Sequence, residues 1–398
     1  MSSALEPRTA AELATAVRES AGPLEIQGAG SKRGLGRPVN SGQRLDLSHL
    51  SGISLYEPEE LVLTAGAGTR LAEIDQALAA KRQMLAFEPP DLGPLYGRPA
   101  GEGTLGGMLA CNLAGPRRPK AGAARDHFLG ALAVNGQGEI FKTGGQVVKN
   151  VTGYDLCKLL AGSFGTLAAL AEVTLKVLPA PEHECSLLFS GLEDAEAVAI
   201  MTRALGSAAE VSGAAHLPAG VASLLPLAAG AATLLRLEGT TLSVAERITL
   251  LRRELGGACV EMEAAESRVV WRGLRDVAPF QGTEEAVWRL SVPPAAGAAV
   301  MQAIAISGVT GVRHFYDWGG GLIFLALPAE GDAAAVPIRA ALKPMGGHAT
   351  LMRAPLSLRA AVDVFQPQAP ALAALARRVK ESFDPAGRLN PGRMYHGI

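Results

Sequence analysis

Four glycine-marked polar loops, at 27–32, 101–116, 124–130 and 144–167, interrupt the apolar segments of the first half of the chain. The last is the most constraining. Between Val147 and Pro179, Lys149, Asn150, Tyr154 and Asp155 are followed by Gly162, Gly165 and Thr166, and then by LAALAEVTLKVLP, a strand halted by Pro179. A core segment needs none of these polar groups, and a flexible linker would not be so rich in Leu and Val. A polar cluster between two ordered elements points to something held there.

The surrounding pattern is one of short strands and helices. PLEIQGAGSKRGLG reads as a strand entering a glycine-rich loop. Thr9 is placed to cap a helix at the N-terminus, and Thr69 to cap one carrying Leu71, Ile74 and Leu78 on a single face. Asn135-Gly136 signals a hairpin. Beyond about residue 181 the pattern becomes strands separated by helices, such as AATLLRLEG, SVAERITLLRREL and GLIFLALPAE, which suggests an α+β domain with an antiparallel sheet. The divisions expected are 1–181, 182–345 and a C-terminal segment, 346–398.

A length of 398 residues favours two or three domains. A net charge of −1 leaves no basic footprint for nucleic acid. No uncharged apolar run is long enough to span a membrane, and the N-terminus lacks a signal-peptide core. Cys111, Cys157, Cys185 and Cys259 lie far apart with no CxxC spacing, which argues against zinc or iron–sulfur ligation in this chain. No metal is expected, and a reduced, cytoplasmic protein fits best.

The loops lack the usual nucleotide signatures. QGAGSK, Gln27–Lys32, has one G-x-G without the rest of G-x-G-x-x-G, and no Walker A loop occurs. Successive backbone N–H groups in such a loop can still cradle a pyrophosphate. In the second loop, Gly106 and Gly107 would let backbone approach a flat ligand, with Thr104 and Asn112 offering polar atoms. The third brings Arg125, Asp126 and His127 together. Taken alone, a plain turn explains the first of these loops and a solvated corner the third. A long dinucleotide touched at several points explains all four.

In order and content, QGAGSK, VLTAGAGTRLAEID, PPD, TLGGMLACN, RDHFLG, KNVTGYDLCKLLAGSFGTLA and EVTLKVLP resemble the FAD-binding domain of the vanillyl-alcohol oxidase and p-cresol methylhydroxylase superfamily. FDPAGRLNPGRM resembles the C-terminus of its FAD-linked oxidases. KNVTGYDLCKLLAGSFGTL, YDWGGG and GGHATLMRAP narrow the resemblance to the FAD-binding subunits (E subunits) of bacterial glycolate oxidases. The resemblance implies an α+β fold, with a two-subdomain FAD-binding domain and a smaller α+β cap carrying an antiparallel sheet. It assigns the pyrophosphate loop to Gly28, Gly30, Ser31 and Lys32. Thr104, Gly106, Gly107 and Asn112 fall to a second phosphate and flavin-ring loop, with Pro90 upstream. Asp126 and His127 would lie beside the cofactor, and Gly153, Tyr154 and Asp155 near the flavin. Gly165, Thr166, Glu172 and Val173 would lie on the adenosine side, and Asn390 would reach back to the isoalloxazine.

One departure matters. Related catalytic subunits and D-lactate or D-2-hydroxyglutarate dehydrogenases carry a motif of the HxGDGNxH kind, and this chain has none. Oxidising a 2-hydroxy acid needs a cation for the carboxylate, a base for the hydroxyl proton and a hydride acceptor. Arg272, Arg275, Arg353 and His348 are the available cations or bases, with Arg353 and His348 the catalytic candidates. The resemblance implies a glycolate-oxidising subunit with non-covalent FAD, working with a catalytic flavoprotein subunit and an iron–sulfur subunit. Any attachment to the inner membrane would be peripheral, through those partners. The alternatives are a stand-alone 2-hydroxy-acid dehydrogenase and a catalytically silent scaffold.

Overall fold

The computed structural model describes residues 4–145, 154–227 and 230–398. The chain divides into two compact units, one of residues 1–114, 122–180 and 367–398, the other of residues 115–121 and 181–366.

In the first unit, β1 (Ala4–Leu5), β2 (Leu24–Gln27) and β3 (Gln43–Asp46) form a parallel sheet in the order β1-β3-β2. The chain continues through β4 (Ile53–Glu57), β5 (Val62–Gly66), β6 (Gln83–Met84), β7 (Phe128–Asn135), β8 (Ile140–Gly144), β9 (Ala168–Lys176) and β10 (Leu178–Pro179). Five of these make an antiparallel sheet, β4-β5-β9-β7-β8, while β6 pairs with β10. The helix Ala10–Glu19 starts where expected: Thr9 Oγ1 accepts the Glu12 N–H at 3.1 Å, and Leu13, Ala14 and Val17 are buried. The helix Leu71–Ala79 buries Leu71, Ile74 and Leu78, as their spacing predicts.

Thr69 does not cap that helix. Arg70 occupies the N-cap position, and Thr69 Oγ1 donates to Gly66 O (2.7 Å) and accepts from Gly52 N (3.0 Å). The hydroxyl is fully buried, and satisfying the turn after β5 takes it away from the helix end.

The second unit is built on β11 (His183–Ser190), β12 (Gly213–Leu217), β13 (Ala232–Gly239), β14 (Val260–Met262), β15 (Ala286–Ser291), β16 (Arg313–Asp317), β17 (Leu322–Leu327) and β18 (His348–Arg353). They form one antiparallel sheet, β14-β11-β13-β12-β16-β17-β15-β18. Its last strand moves a boundary. The C-terminal segment was expected to leave the cap at 346, but β18 pairs with β15 and Leu351 N donates to Val364 O, so residues up to Gln366 stay with this sheet.

From Pro367 the chain rejoins the first unit. There the helix Pro370–Phe383 is anchored by Lys380, whose Nζ donates to Thr166 O (2.7 Å), Leu389 O (2.9 Å) and Asp384 Oδ2 (2.5 Å). Asp384 also accepts from the N–H groups of Arg388 and Leu389. This knot lets Leu389 bridge to Leu24 of β2, which brings Asn390 beside the first glycine-rich loop. Among the described residues no helix is long and apolar enough to cross a membrane.

Candidate functional site: a glycine-walled cradle in the first unit

The loop after β2 carries the most telling chemistry. None of the backbone N–H groups from Gly28 to Lys32 donates to another group among the described residues. Backbone donors are almost always paired in a folded protein, so five consecutive free ones mark a place where an acceptor from outside belongs. Lys32 Nζ lies 3.2 Å from Ser31 Oγ. Burial pushes its ammonium below the ordinary lysine value, and Cys111 and Asp91 oppose that only in part. An anion would relieve that strain.

Two adjoining cavities open along this loop. Gln27, Gly28, Thr104, Gly107, Phe164 and Asn390 line both. Gly30, Ser31, Lys32, Cys111 and Arg393 complete one, and Gly106 and Gly165 the other. The glycines are required here. A Cβ on Gly28 would stand 2.5 Å from Thr104 Oγ1, and one on Gly107 3.1 Å from the same atom and 3.4 Å from Lys32 Cε. Gln27 Oε1 is buried with no partner, although its Nε2 donates to Asp46 at 3.2 Å. Free N–H groups, a buried cation, an unpartnered amide oxygen and side-chain-free walls fit a dinucleotide with a pyrophosphate.

Comparison with known proteins agrees. Residues 2–144 match the FAD binding domain family, and residues 366–394 match the C-terminal domain of FAD linked oxidases. The folds of 4-ethylphenol oxidase from Gulosibacter chungangensis (TM-score 0.73, 15% identity, 99% of this chain and 89% of that one) and p-cresol methylhydroxylase (0.70, 15%, 98% and 88%) are similar. Glycolate oxidase subunit GlcE of Escherichia coli K12 is 37% identical over 94% of this chain and 93% of its own. The chain belongs to the GlcE family. Glycolate oxidase subunit GlcD of Bacillus subtilis is more distant, 32% identical over 46% of this chain and 38% of its own. The protein is an FAD-linked oxidoreductase with a fold of the p-cresol methylhydroxylase type.

Not every residue expected at the cofactor of this GlcE-family chain lines the cradle. Asn390 does, but its Oδ1 accepts from Ile26 N and its Nδ2 donates to Phe164 O, both at 2.8 Å. It shapes the cavity by tying the end of β2 to the loop at Phe164. Asn112 sits at φ 49°, with Oδ1 accepting the Arg125 N–H. Asp126 holds Ala123 N, and His127 is buried against Phe87 with Nδ1 3.3 Å from Lys176 O. Asp155 caps the helix Leu156–Leu160, and Tyr154 is 95% exposed. Thr166 Oγ1 bonds Ser163 O, Glu172 accepts from Ser54, and Val173 is packed in the core. Pro90 is buried one residue before Asp91, whose carboxylate holds Gly93 N and Gly101 N. Gly153, with Lys149 and Asn150, lies outside the described residues.

Gln27, Cys111, Phe164 and Arg393 line the cavities without having been singled out. All four lie within motifs already quoted, QGAGSK, TLGGMLACN, KNVTGYDLCKLLAGSFGTLA and FDPAGRLNPGRM. Phe164 carries the one local oddity, φ 55°.

In the second unit, Arg353 is not available to a substrate. Nε donates to Glu285 O (3.0 Å), Nη1 to Phe280 O (2.7 Å) and Nη2 to Thr283 Oγ1 (2.7 Å), so it ties the start of β15 to β18. Arg275 is paired with Asp276 through two 2.8 Å bonds. His348 is held below the ordinary histidine value by desolvation first, and then by the charges of Arg289 and Arg118. A further cavity of about 950 Å³, lined by Asp194, Val198, Met301, Ile304 and His314, contains none of the expected site residues.

Proposed function

We propose that this chain is the FAD-binding subunit of a multi-subunit glycolate oxidase, converting glycolate to glyoxylate with a catalytic flavoprotein subunit and an iron–sulfur subunit. The row of unpaired N–H groups from Gly28 to Lys32 carries the cofactor part of this reading. Similarity to GlcE over almost the whole chain supports the substrate, and similarity to GlcD supports the flavoprotein partner. The working compartment is the cytoplasm, with any membrane contact made through partners.

In this reading the N–H groups of the 28–32 loop, with Lys32, hold the pyrophosphate. Gly28, Gly107 and Thr104 shape the cradle, and Asn390 fixes its wall. FAD, when bound, supplies a two-electron acceptor for 2-hydroxy-acid oxidation. The residues of the cradle hold and orient it. None of them is placed to take the hydroxyl proton, which is why a partner is expected for turnover.

The test is glycolate-dependent dye reduction by the purified single chain and by the co-expressed complex. The single chain should carry FAD but turn over negligibly, with activity appearing in the complex. A single-chain rate in the ordinary enzyme range of ~1–10³ per second would replace this reading with a stand-alone dehydrogenase. Partners bound without FAD would favour a scaffold.

FAD attachment in this reading is non-covalent. The 27–32 loop has no His or Cys, and burial raises the pKa of the Cys111 thiol, which disfavours the reactive thiolate. Acid precipitation should leave all the yellow colour in the supernatant; colour in the pellet would contradict it.

A further inference from the structure

The second unit gathers positive charge around one buried ring. The guanidinium carbons of Arg118 and Arg289 lie 4.4 and 5.0 Å from the centroid of Trp318. They come from separate parts of the chain, Arg118 from the 115–121 segment and Arg289 from β15. On β18, His348 pairs with Ser291 and Thr350 pairs with Arg289, so strand alternation puts Arg289 and His348 on one face, one diagonal apart.

The platform is rigid. Trp318 is 5% exposed, and its Nε1 donates to Gly115 O at 3.0 Å. Its backbone is at φ 53°, an uncommon conformation for a bulky residue and one that tends to persist where function requires it. Gly319 and Gly320 follow at φ 67° and 98°.

One buried carboxylate lies beside these cations. Asp317 is the nearby acid, but it is 2% exposed and its Oδ1 is engaged by Trp318 N at 2.7 Å. Arg289 forms no ion pair among the described residues and keeps part of its surface in solvent. Desolvation pulls it down to about 10; Arg118 pushes the same way, and Asp317 opposes both. Two guanidiniums that share one ring repel each other, and the planar fork of Arg289, which has no acid of its own, matches a carboxylate.

We propose that Arg289, with Arg118 and His348 beside it over Trp318, forms a binding site for a small carboxylate of the size of a 2-hydroxy acid. Only the identity of that acid rests on the glycolate reading above.

The test is calorimetric titration of the FAD-loaded full chain with oxalate, a two-carbon acid that cannot be oxidised as a 2-hydroxy acid, and with glycolate under anaerobic conditions. Saturable binding is expected, weakened about 10- to 100-fold in Arg289→Met, the range for losing charge-assisted hydrogen bonds. Arg289→Lys, which keeps the charge without the fork, should fall between. Arg275→Met, whose partner is Asp276, should bind as the wild type does. If Arg289→Met fails to fold, Arg118→Met, at an exposed position, should still show several-fold weakening. Absence of binding to the wild type, or equal binding by the variants, overturns the proposal. Carboxylate binding that depends on Arg289, in a chain whose complex leaves glycolate unoxidised, would keep the site and remove the glycolate reading. Glycolate turnover with unchanged oxalate binding in Arg289→Met would do the reverse.

Discussion

Replacing Lys380 with Met should lower the stability of the first unit by about 3–5 kcal/mol, the range for removing one partner of a buried ion pair. The side chains of Lys380 and Asp384 are 5% and 0% exposed. Burial alone lowers the pKa of Lys380, and the hydrogen bond and charge of Asp384 oppose this. Without the ammonium, the Asp384 carboxylate keeps its two backbone donors but loses its counter-charge, and Thr166 O and Leu389 O lose a hydrogen-bond donor. The same contacts deliver Asn390 to the cradle, so FAD affinity should fall together with stability. The check is the urea midpoint of Lys380→Met, followed by far-UV circular dichroism and flavin fluorescence. Arg377→Met, on the exposed side of the same helix, should stay within about 0.5 kcal/mol of wild type. Equal midpoints for the two variants would show that the knot does not hold the C-terminal segment.

Valine at Gly107 and valine at Gly106 should fail in opposite ways. A Cβ on Gly107 meets Thr104 Oγ1 and the Lys32 chain, side-chain atoms that line the cavity. The chain should fold and lose FAD. Overpacking of about 1–3 kcal/mol corresponds to a ~5- to 150-fold weaker Kd by the tenfold-per-1.4 rule. A Cβ on Gly106 instead stands 2.8 Å from Ala67 Cβ and 3.0 Å from Ala67 O, and Gly106 N donates to that same oxygen. There the strain falls on the packing of the helix Leu105–Ala110 against the turn after β5, so stability drops first. FAD titration of the apo forms, alongside urea unfolding, separates the two. Full FAD affinity in Gly107→Val would remove that residue from the cradle.

These two glycines show what local sequence can and cannot specify. A G-G pair announces that backbone must come close to something, because neither residue has a Cβ. It does not say to what. Both line a cavity, but the Cβ direction of Gly106 meets Ala67 and that of Gly107 meets Thr104 and Lys32, because successive residues on a helix point about 100° apart, and only the packed position of the helix decides what each direction meets. Thr69 and Asn390 make the same point. Each has the right chemistry for the role expected of it, and each spends its hydrogen bonds on backbone groups: Thr69 on Gly66 in its own turn and Gly52 of the preceding loop, Asn390 on Ile26 and Phe164 from distant segments.

What the sequence determined alone was the local chemistry. The 28–32 loop follows a strand and has no bulky side chain to close it, so it can present its N–H groups. The apolar spacing of Leu71, Ile74 and Leu78 buries one helix face, and Thr9 caps a helix three residues before Glu12. These depend on contacts within a few residues. The tertiary structure decided everything that depends on long-range pairing. It assigned β18 to the cap sheet, spent Arg353 on carbonyls near the start of β15, and set Arg289 beside Arg118 on Trp318. Strand order and register bring residues far apart in sequence within ångströms of one another, and periodicity within a single strand does not encode which strand becomes its neighbour.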